Sequence, residues 1–390
     1  MLFIFLGLAL AAPLSPDDAV AAALASHADL AVVAGEHVSA AGAARSSAFL
    51  RENPQLEFSY ALVGDRVSLS AWQPLSLSAE GIADHRSAVA RRAAAELGVA
   101  RAELRVAADV RTAYVHAIVA TSAATVAGQG FALASRQLLA TEAALGVGNA
   151  SDLDVRLARL QHAKSARDVL VATANEATAL TALSVMARRP VLAESLVIDP
   201  RQAVPEPTVV TTNGERADVR QARLVVQAAE AALSRERSAV VPALSLGGFY
   251  ESERGTAVVG PTVGLTLPLW QHNQAGVSAA RADLAVAHAA LDATTSLADA
   301  EQRASHQSYI AAVTVMTAVP ATVSDAKAAL ASVDAGVRSG DFDLVTTILL
   351  RDEILAGQQA LTEALGELSL SRIRLLLATE DEALLGARSR

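Results

Sequence analysis

The chain has 390 residues, of which 52% are hydrophobic, 3% aromatic and none cysteine, and its formal net charge is -9. The acidic balance argues against a nucleic-acid partner, because binding phosphates needs a basic face. Without cysteine there is no disulfide, no thiolate metal site and no acylated N-terminal cysteine.

The first segment, MLFIFLGLALAAPLS over residues 1–15, is an apolar run with an Ala9-Leu10-Ala11 step near its end. It reads as a signal peptide with a small-residue cleavage site, although it lacks the usual basic flank. It is too short to cross a bilayer as a helix, and no later stretch reads as ~20 apolar residues free of charge. No spanning helix is therefore expected. The rest divides into a first structural repeat over 16–190, a linker over 191–214, a second repeat over 215–380 and a tail over 381–390.

In the first repeat a helix leads into a hairpin over 54–78. Leu56, Phe58, Tyr60 and Leu62 share one face of its first strand, and Gln55, Glu57, Ser59 and Ala61 share the other. Gly64-Asp65 turns the chain, and Val67, Leu69 and Ala71 then oppose Ser68 and Ser70. Period-two alternation means one dry face and one wet face. A long helix is predicted over 79–146. Its apolar positions Leu97, Leu104, Val115, Ile118, Val119, Val126 and Leu133 recur at helical steps. Such a helix is on the order of 100 Å long, which suits coiled-coil packing rather than a globular core. A further helix follows over 152–188.

The second repeat has the same order. Its hairpin, over 242–270, sets Leu244, Leu246 and Tyr250 against Ser245 and Glu251, then Val259, Val263, Leu265 and Leu267 against Thr262 and Thr266. A long helix over 274–338 contains Pro320, which is expected to bend it or loosen one turn. A last helix covers 342–380. Pro54 matches Pro242, Gln73-Pro74-Leu75 matches Leu267-Pro268-Leu269, Ala113-Tyr114 matches Ser308-Tyr309, and Gly148 matches Gly340. So nearly constant a long offset marks an internal duplication. The fold class is mainly α with a small β part: long antiparallel helical hairpins plus two β-hairpins, duplicated.

Phe58, Tyr60, Trp72, Phe249, Tyr250 and Trp270 all fall in the two hairpins of an otherwise aromatic-poor chain, as bilayer-interface residues do. The strands have the length of tilted transmembrane β-strands. Four strands cannot close a barrel alone, and an open edge in lipid leaves unpaired backbone groups at several kcal/mol each. Other copies of the chain must then complete the sheet. A soluble sheet stacked on the helices also explains the alternation, but not helices far too long to wrap it.

Two turns add a sharper signal. Val147-Gly148-Asn149-Ala150-Ser151-Asp152-Leu153-Asp154-Val155 joins the helices of the first repeat, and Ser339-Gly340-Asp341-Phe342-Asp343-Leu344 joins those of the second. With the order of elements, these make the chain resemble the TolC-like outer-membrane efflux channel family over roughly residues 16–380. Thr346 stands where the drug-exporting branch has Asp, so the second turn looks more like the heavy-metal and cation efflux branch. The resemblance implies a homotrimer: a twelve-stranded barrel in outer-membrane lipid, continued into the periplasm by a helical tube. It implies partners as well, a periplasmic adaptor and an inner-membrane transporter, most simply of the RND type. Adaptor docking would fall at the periplasmic tip, on Gly148, Gly340, Asp152, Asp154, Arg338, Asp341 and Asp343. The membrane-facing barrel residues would be Leu56, Phe58, Tyr60, Leu69, Leu246, Tyr250, Leu265 and Leu267.

No Ser/His/Asp order, phosphate loop or HExxH motif is present, so no enzyme activity, cofactor or metal site is expected. His85, His116, His162, His272, His288 and His306 are isolated by spacing. Asp152 and Asp154 are equally readable as helix caps. Two other functions share these features: an exported periplasmic coiled-coil scaffold without a pore, and the outer-membrane duct of a type I secretion system.

Overall fold

The structure, a computed structural model, describes residues 14–26, 28–46, 53–61, 66–75, 79–196, 204–206, 215–238, 243–266, 272–339 and 344–389. In chain order the elements are α1 (Pro16–Ser26), α2 (Ala28–Ser46), β1 (Gln55–Ala61), β2 (Arg66–Leu75), α3 (Ala79–Gly146) and α4 (Asp152–Met186). After them come α5 (Ala217–Ser238), β3 (Ala243–Glu253), β4 (Thr256–Thr266), α6 (Gln274–Ser339) and α7 (Leu344–Ala378). Short 3-10 helices cover Ala193–Ser195 and Glu382–Ser389. The duplication shows in the lengths: α3 has 68 residues and α6 has 66, while α4 and α7 have 35 each. α6 runs through Pro320 without ending. Leu62, Gly64, Asp65, Leu267 and Trp270 lie outside the described residues.

The compact units do not follow the repeats. One unit holds α1, α4, α7 and the later parts of α3 and α6; the other holds α2, α5, the sheet and the early parts of α3 and α6. Each unit thus draws on both repeats.

Heptad spacing governs the helix packing. In α3 nine buried positions, Ala83, Ser87, Ala90, Ala94, Leu104, Ala108, Arg111, Val115 and Ile118, fall on one alternating four-and-three stripe, the spacing of a coiled-coil seam, and Val106, Ala107, Val110, Tyr114 and Ala117 are buried beside it. Val219, Val226 and Leu233 continue the rule in α5, and Leu368 and Leu375 in α7. Many seam positions are alanine or serine, which bring helix axes close but bury little area.

In the first unit the best-buried side chains include Val20, Tyr114, Ile118, Leu183, Leu376 and Leu384. Arg111 is only 2% exposed. Its Nε donates to the Leu384 carbonyl at 2.9 Å and its guanidinium to Asp17 Oδ1 at 2.6 Å. A buried guanidinium is stable only when its donors are matched in this way. Beside it the Tyr114 hydroxyl donates to the Leu14 carbonyl at 2.7 Å, and the Leu14 amide donates to the Ser195 carbonyl at 2.8 Å. These bonds clasp the segments before α1 and after α7 onto α3. In the second unit Arg216 grips Asp218 with both arms of its guanidinium, at 3.1 and 2.7 Å. Arg101 of α3 joins the same carboxylate at 2.9 Å, fixing the start of α5 to α3.

One expectation is corrected here. By length and composition, two helices, over Gly81–Gly146 and Asp152–Met186, are apolar enough to cross a membrane. In α3 the stretch 112–135 carries no Asp, Glu, Lys or Arg. Alanine supplies much of that hydropathy, and within the stretch Tyr114, Val115, Ala117, Ile118 and Ala134 are buried.

Tyr114→Phe would leave the buried Leu14 carbonyl without its hydroxyl donor. The expected loss is about 1–3 kcal/mol, read as a lower thermal midpoint of the purified protein. An unchanged midpoint would show that the clasp carries no stability.

Candidate functional site

The four strands form one antiparallel sheet in the order β1-β2-β3-β4. The join between the two hairpins, β2 on β3, runs from Arg66 opposite Glu253 to Leu75 opposite Leu244. Between β3 and β4 the chain turns through Arg254 and Gly255, at φ 48° and 87°. Two consecutive positive-φ residues make the tight hairpin turn that suits strand twist.

Residues opposite one another in an antiparallel ladder lie on one face. Phe58, Leu69, Tyr250 and Val259 therefore make one row across the whole sheet. Leu75, Leu244 and Leu265 make another, and Leu246 pairs with Val263. This apolar face is open: Leu56 is 74% exposed, Phe58 68% and Val259 75%, and Tyr60, Leu69, Leu246, Tyr250 and Leu265 are exposed with them. Burying such a side chain yields about 1.5–3 kcal/mol, so a face this apolar left in water is a large unused driving force.

The opposite face is polar and internally bonded. Ser59 and Ser68 hydroxyls meet at 2.6 Å, and Arg66 pairs with Glu251. Trp72 Nε1 donates to Gln55 Oε1 at 2.6 Å. Here the expected grouping of aromatics is corrected. Trp72 lies in the row Gln55, Trp72, Gly247, Thr262, and Phe249 in the row Glu57, Ser70, Phe249, Gly260. Both stand on the polar face, away from Phe58, Tyr60 and Tyr250. Glycine makes the room: a Cβ on Gly247 would lie 2.7 Å from the Trp72 Cβ, and one on Gly260 would lie 2.7 Å from the Phe249 ring.

The α3–α4 turn closes itself with local hydrogen bonds. The Asn149 amide donates to the Ala144 carbonyl at 2.8 Å and the Gly148 amide to Leu145 at 3.0 Å. Gly148 sits at φ 78°, the left-handed residue of a Schellman cap. Three residues on, Ser151 and Asp154 form a capping box. The Asp154 amide donates to Ser151 Oγ at 3.2 Å, and Asp154 Oδ2 accepts from the Ser151 amide at 2.8 Å and its hydroxyl at 2.7 Å. Asp154 is thus a cap, and Asp152 remains exposed in the first turn of α4. Val147 and Leu153 flank the turn as exposed apolar residues. Below it Arg159 of α4 pairs with Glu142 of α3 at 2.8 Å. Gly340, Asp341 and Asp343 lie outside the described residues, as does the side chain of Arg338.

Between α3, α4 and α7 lies an open groove of about 1130 Å³. Lys164 bonds Asp352 across it at 2.9 Å, and Gln161 reaches the same carboxylate at 2.8 Å. The Asp352 hydrogen bond holds the Lys164 ammonium above its ordinary pKa. Sequence reasoning missed this pair because its members lie 188 residues apart. Among the described residues no cluster of three or more His, Asp or Glu is placed to hold a metal ion.

Known proteins match at two levels. Residues 210–379 match the family model described as outer membrane efflux protein, while no curated protein sequence matches. Among solved structures, the outer membrane protein VceC of Vibrio cholerae is 17% identical, with a TM-score of 0.77 over 93% of this chain and 95% of that one. The CmeC outer membrane channel of Campylobacter jejuni is also 17% identical, at 0.77 over 93% and 85%. The MtrE outer membrane channel of Neisseria gonorrhoeae is 18% identical, at 0.74 over 94% and 89%. Residues 210–379 are thus similar to the outer membrane efflux proteins, and over nearly its whole length the chain has the fold of these outer-membrane channels.

Proposed function

We propose that the protein is one subunit of a trimeric outer-membrane channel, the passive exit duct of a tripartite efflux pump. The observation that carries this reading is the sheet, whose broad apolar face is open while, among the described residues, its two outer strands are each paired on one side only. Lipid would cover the face, but it cannot satisfy the backbone groups of β1 and β4. Neighbouring copies can. Two copies would give eight strands, whose interior side chains just fill. Three give twelve, an even-stranded barrel with a lumen. The exposed apolar residues of α4 and α6, such as Leu160, Leu170, Leu297 and Ile310, would be covered by helices of the same trimer.

In this assembly Leu56, Phe58, Tyr60, Leu69, Leu246, Tyr250, Leu265 and Leu267 face lipid, and the long helices form a periplasmic tube. The duct works with a periplasmic adaptor and an inner-membrane pump, which we propose to be of the RND type and to carry cationic cargo. The adaptor docks on the turn at Gly148 with Asp152 and Asp154, and on the matched turn at Gly340 with Arg338, Asp341 and Asp343. The chain supplies no chemistry of its own to the cargo; selectivity and energy come from the pump.

Leu69→Arg or Leu246→Arg would put a charge into the lipid face at about 2–4 kcal/mol near mid-bilayer, whereas Ser68→Arg on the pore face is tolerated. Outer-membrane yields of the three variants test this, and equal yields would contradict the assignment of faces. At the turn, replacing Gly148 with Leu forces a side chain into the left-handed region at about 1–2 kcal/mol. The double variant Gly148→Leu with Gly340→Leu is expected to assemble as a trimer and to abolish efflux in cells. Full efflux from that variant would place adaptor docking elsewhere.

A further inference from the structure

We propose that Pro261 sets the register in which β4 of one copy pairs with β1 of the next, with Tyr60 opposite Val263 and Phe58 opposite Leu265. The proposal rests on the barrel reading above, which brings those two edges together.

Along an antiparallel strand, successive residues send their amide and carbonyl to opposite neighbours. Proline has no amide hydrogen and fits where no ladder bond is asked of it. Pro74 of β2 stands opposite Ser245 of β3, while the β1 ladder stops short of it, at Gln55 opposite Trp72. Pro74 therefore turns toward the side of β1, and every second residue of β2 turns with it. Leu69 falls in the other set, so it faces β3 and bonds Tyr250. Phe58 and Val259, the two ends of that row, then send their backbone groups off the sheet. So do Leu56 and Tyr60 on β1, and Ala257, Pro261, Val263 and Leu265 on β4. Pro261 thus takes no bond from β3, but it leaves a gap in the free edge: one position offers a carbonyl and no amide.

Stagger is counted in residues from Phe58 opposite Val259. A neighbour's β1 meets this edge only at even staggers, since an odd one turns its apolar face into the lumen. Staggers of zero, two and four put Pro261 opposite Leu56, Phe58 and Tyr60, and each leaves a β1 carbonyl without a donor in hydrocarbon. At six, Pro261 passes beyond Ala61, the last residue of β1. Four strands are about 19 Å wide and a residue rises ~3.3 Å. Six residues per copy then tilt the strands by about 45°, as in closed barrels, whereas eight tilt them by about 55°. In the other sense, two gives a tilt of only about 20°. Four or more in that sense leaves at most Leu56 of the outward residues against β4, which begins at Thr256. A stagger of six alone satisfies both the backbone and the closure.

The test is a cysteine walk on the full-length protein in outer membranes. Thr262→Cys is combined in turn with Ala61→Cys, Ser59→Cys, Glu57→Cys and Gln55→Cys, which report staggers of six, four, two and zero. These positions all stand on the polar face. A directly opposite pair is about 4.5 Å apart at Cα, and a pair one step off about 8 Å, past the reach of a disulfide. Oxidation is expected to link copies through Ala61/Thr262 about 10-fold more than through any other pair. A dominant bond at Ser59, Glu57 or Gln55 would overturn the register and leave the barrel standing. So would the absence of any bond in a protein that still runs as a trimer in detergent. Neither bond nor trimer would overturn the barrel reading, and the register with it. Pro261→Ala tests the cause. It restores the missing donor, so the Ser59/Thr262 bond is expected to rise on the order of 10-fold. No rise would overturn the role given to Pro261.

Discussion

The proposed channel depends on one constraint: every backbone N–H and C=O of a strand in lipid needs a partner. Among the described residues β2 and β3 have partners on both sides, whereas β1 and β4 have one each. Each orphaned group costs several kcal/mol in hydrocarbon, so edges of 7 and 11 residues put the isolated sheet at tens of kcal/mol. No side-chain contact in the chain can offset that. Closure by further copies removes the cost and covers the ends of the sheet in one step. In the proposed barrel the apolar face, useless on a monomer in water, becomes the outer wall.

The helices follow a second, weaker logic. Their seams are heptad-spaced and small, so helices can approach closely but gain little area for each residue. Length compensates, since many modest contacts repeat along 66 or 68 residues. The turn between α3 and α4 is self-sufficient. The Schellman cap at Gly148 and the box between Ser151 and Asp154 satisfy both helix ends with local atoms. Nothing there requires a ligand, which leaves the exposed Val147, Asp152 and Leu153 as the surface available to a partner.

Much of this was legible in the sequence because it is local. Alternation in Gln55–Ala61 and Ala243–Glu253 gave the faces, and the Gly148 turn marked the helix reversal. The join of β2 to β3 was not legible, because it pairs Ser70 with Phe249 across some 180 residues and no short-range pattern encodes that. By residue type Trp72 and Phe249 read, with the other hairpin aromatics, as bilayer-interface residues; only the register reveals that they stand on the polar face. Asp154 could be read as a pore acid or as a cap, and its hydrogen bonds with Ser151 show that it caps α4. The two compact units also escaped sequence reasoning, since duplication suggests that each repeat folds on its own while packing interleaves them.

The central claim is that β1 of one copy pairs with β4 of the next. The natural chain has no cysteine, so single cysteines can be placed on β1 and on β4 without background. Within one chain these strands are separated by β2 and β3, about 14 Å away at the spacing of a sheet, beyond the ~7 Å Cα limit of a disulfide. Any bond between them must therefore join two copies. Oxidation of β1/β4 cysteine pairs in intact outer membranes is the direct test. Closure predicts dimer and trimer bands, and no larger ones, for pairs in one register. Monomers at every register, or ladders running beyond the trimer, would contradict it.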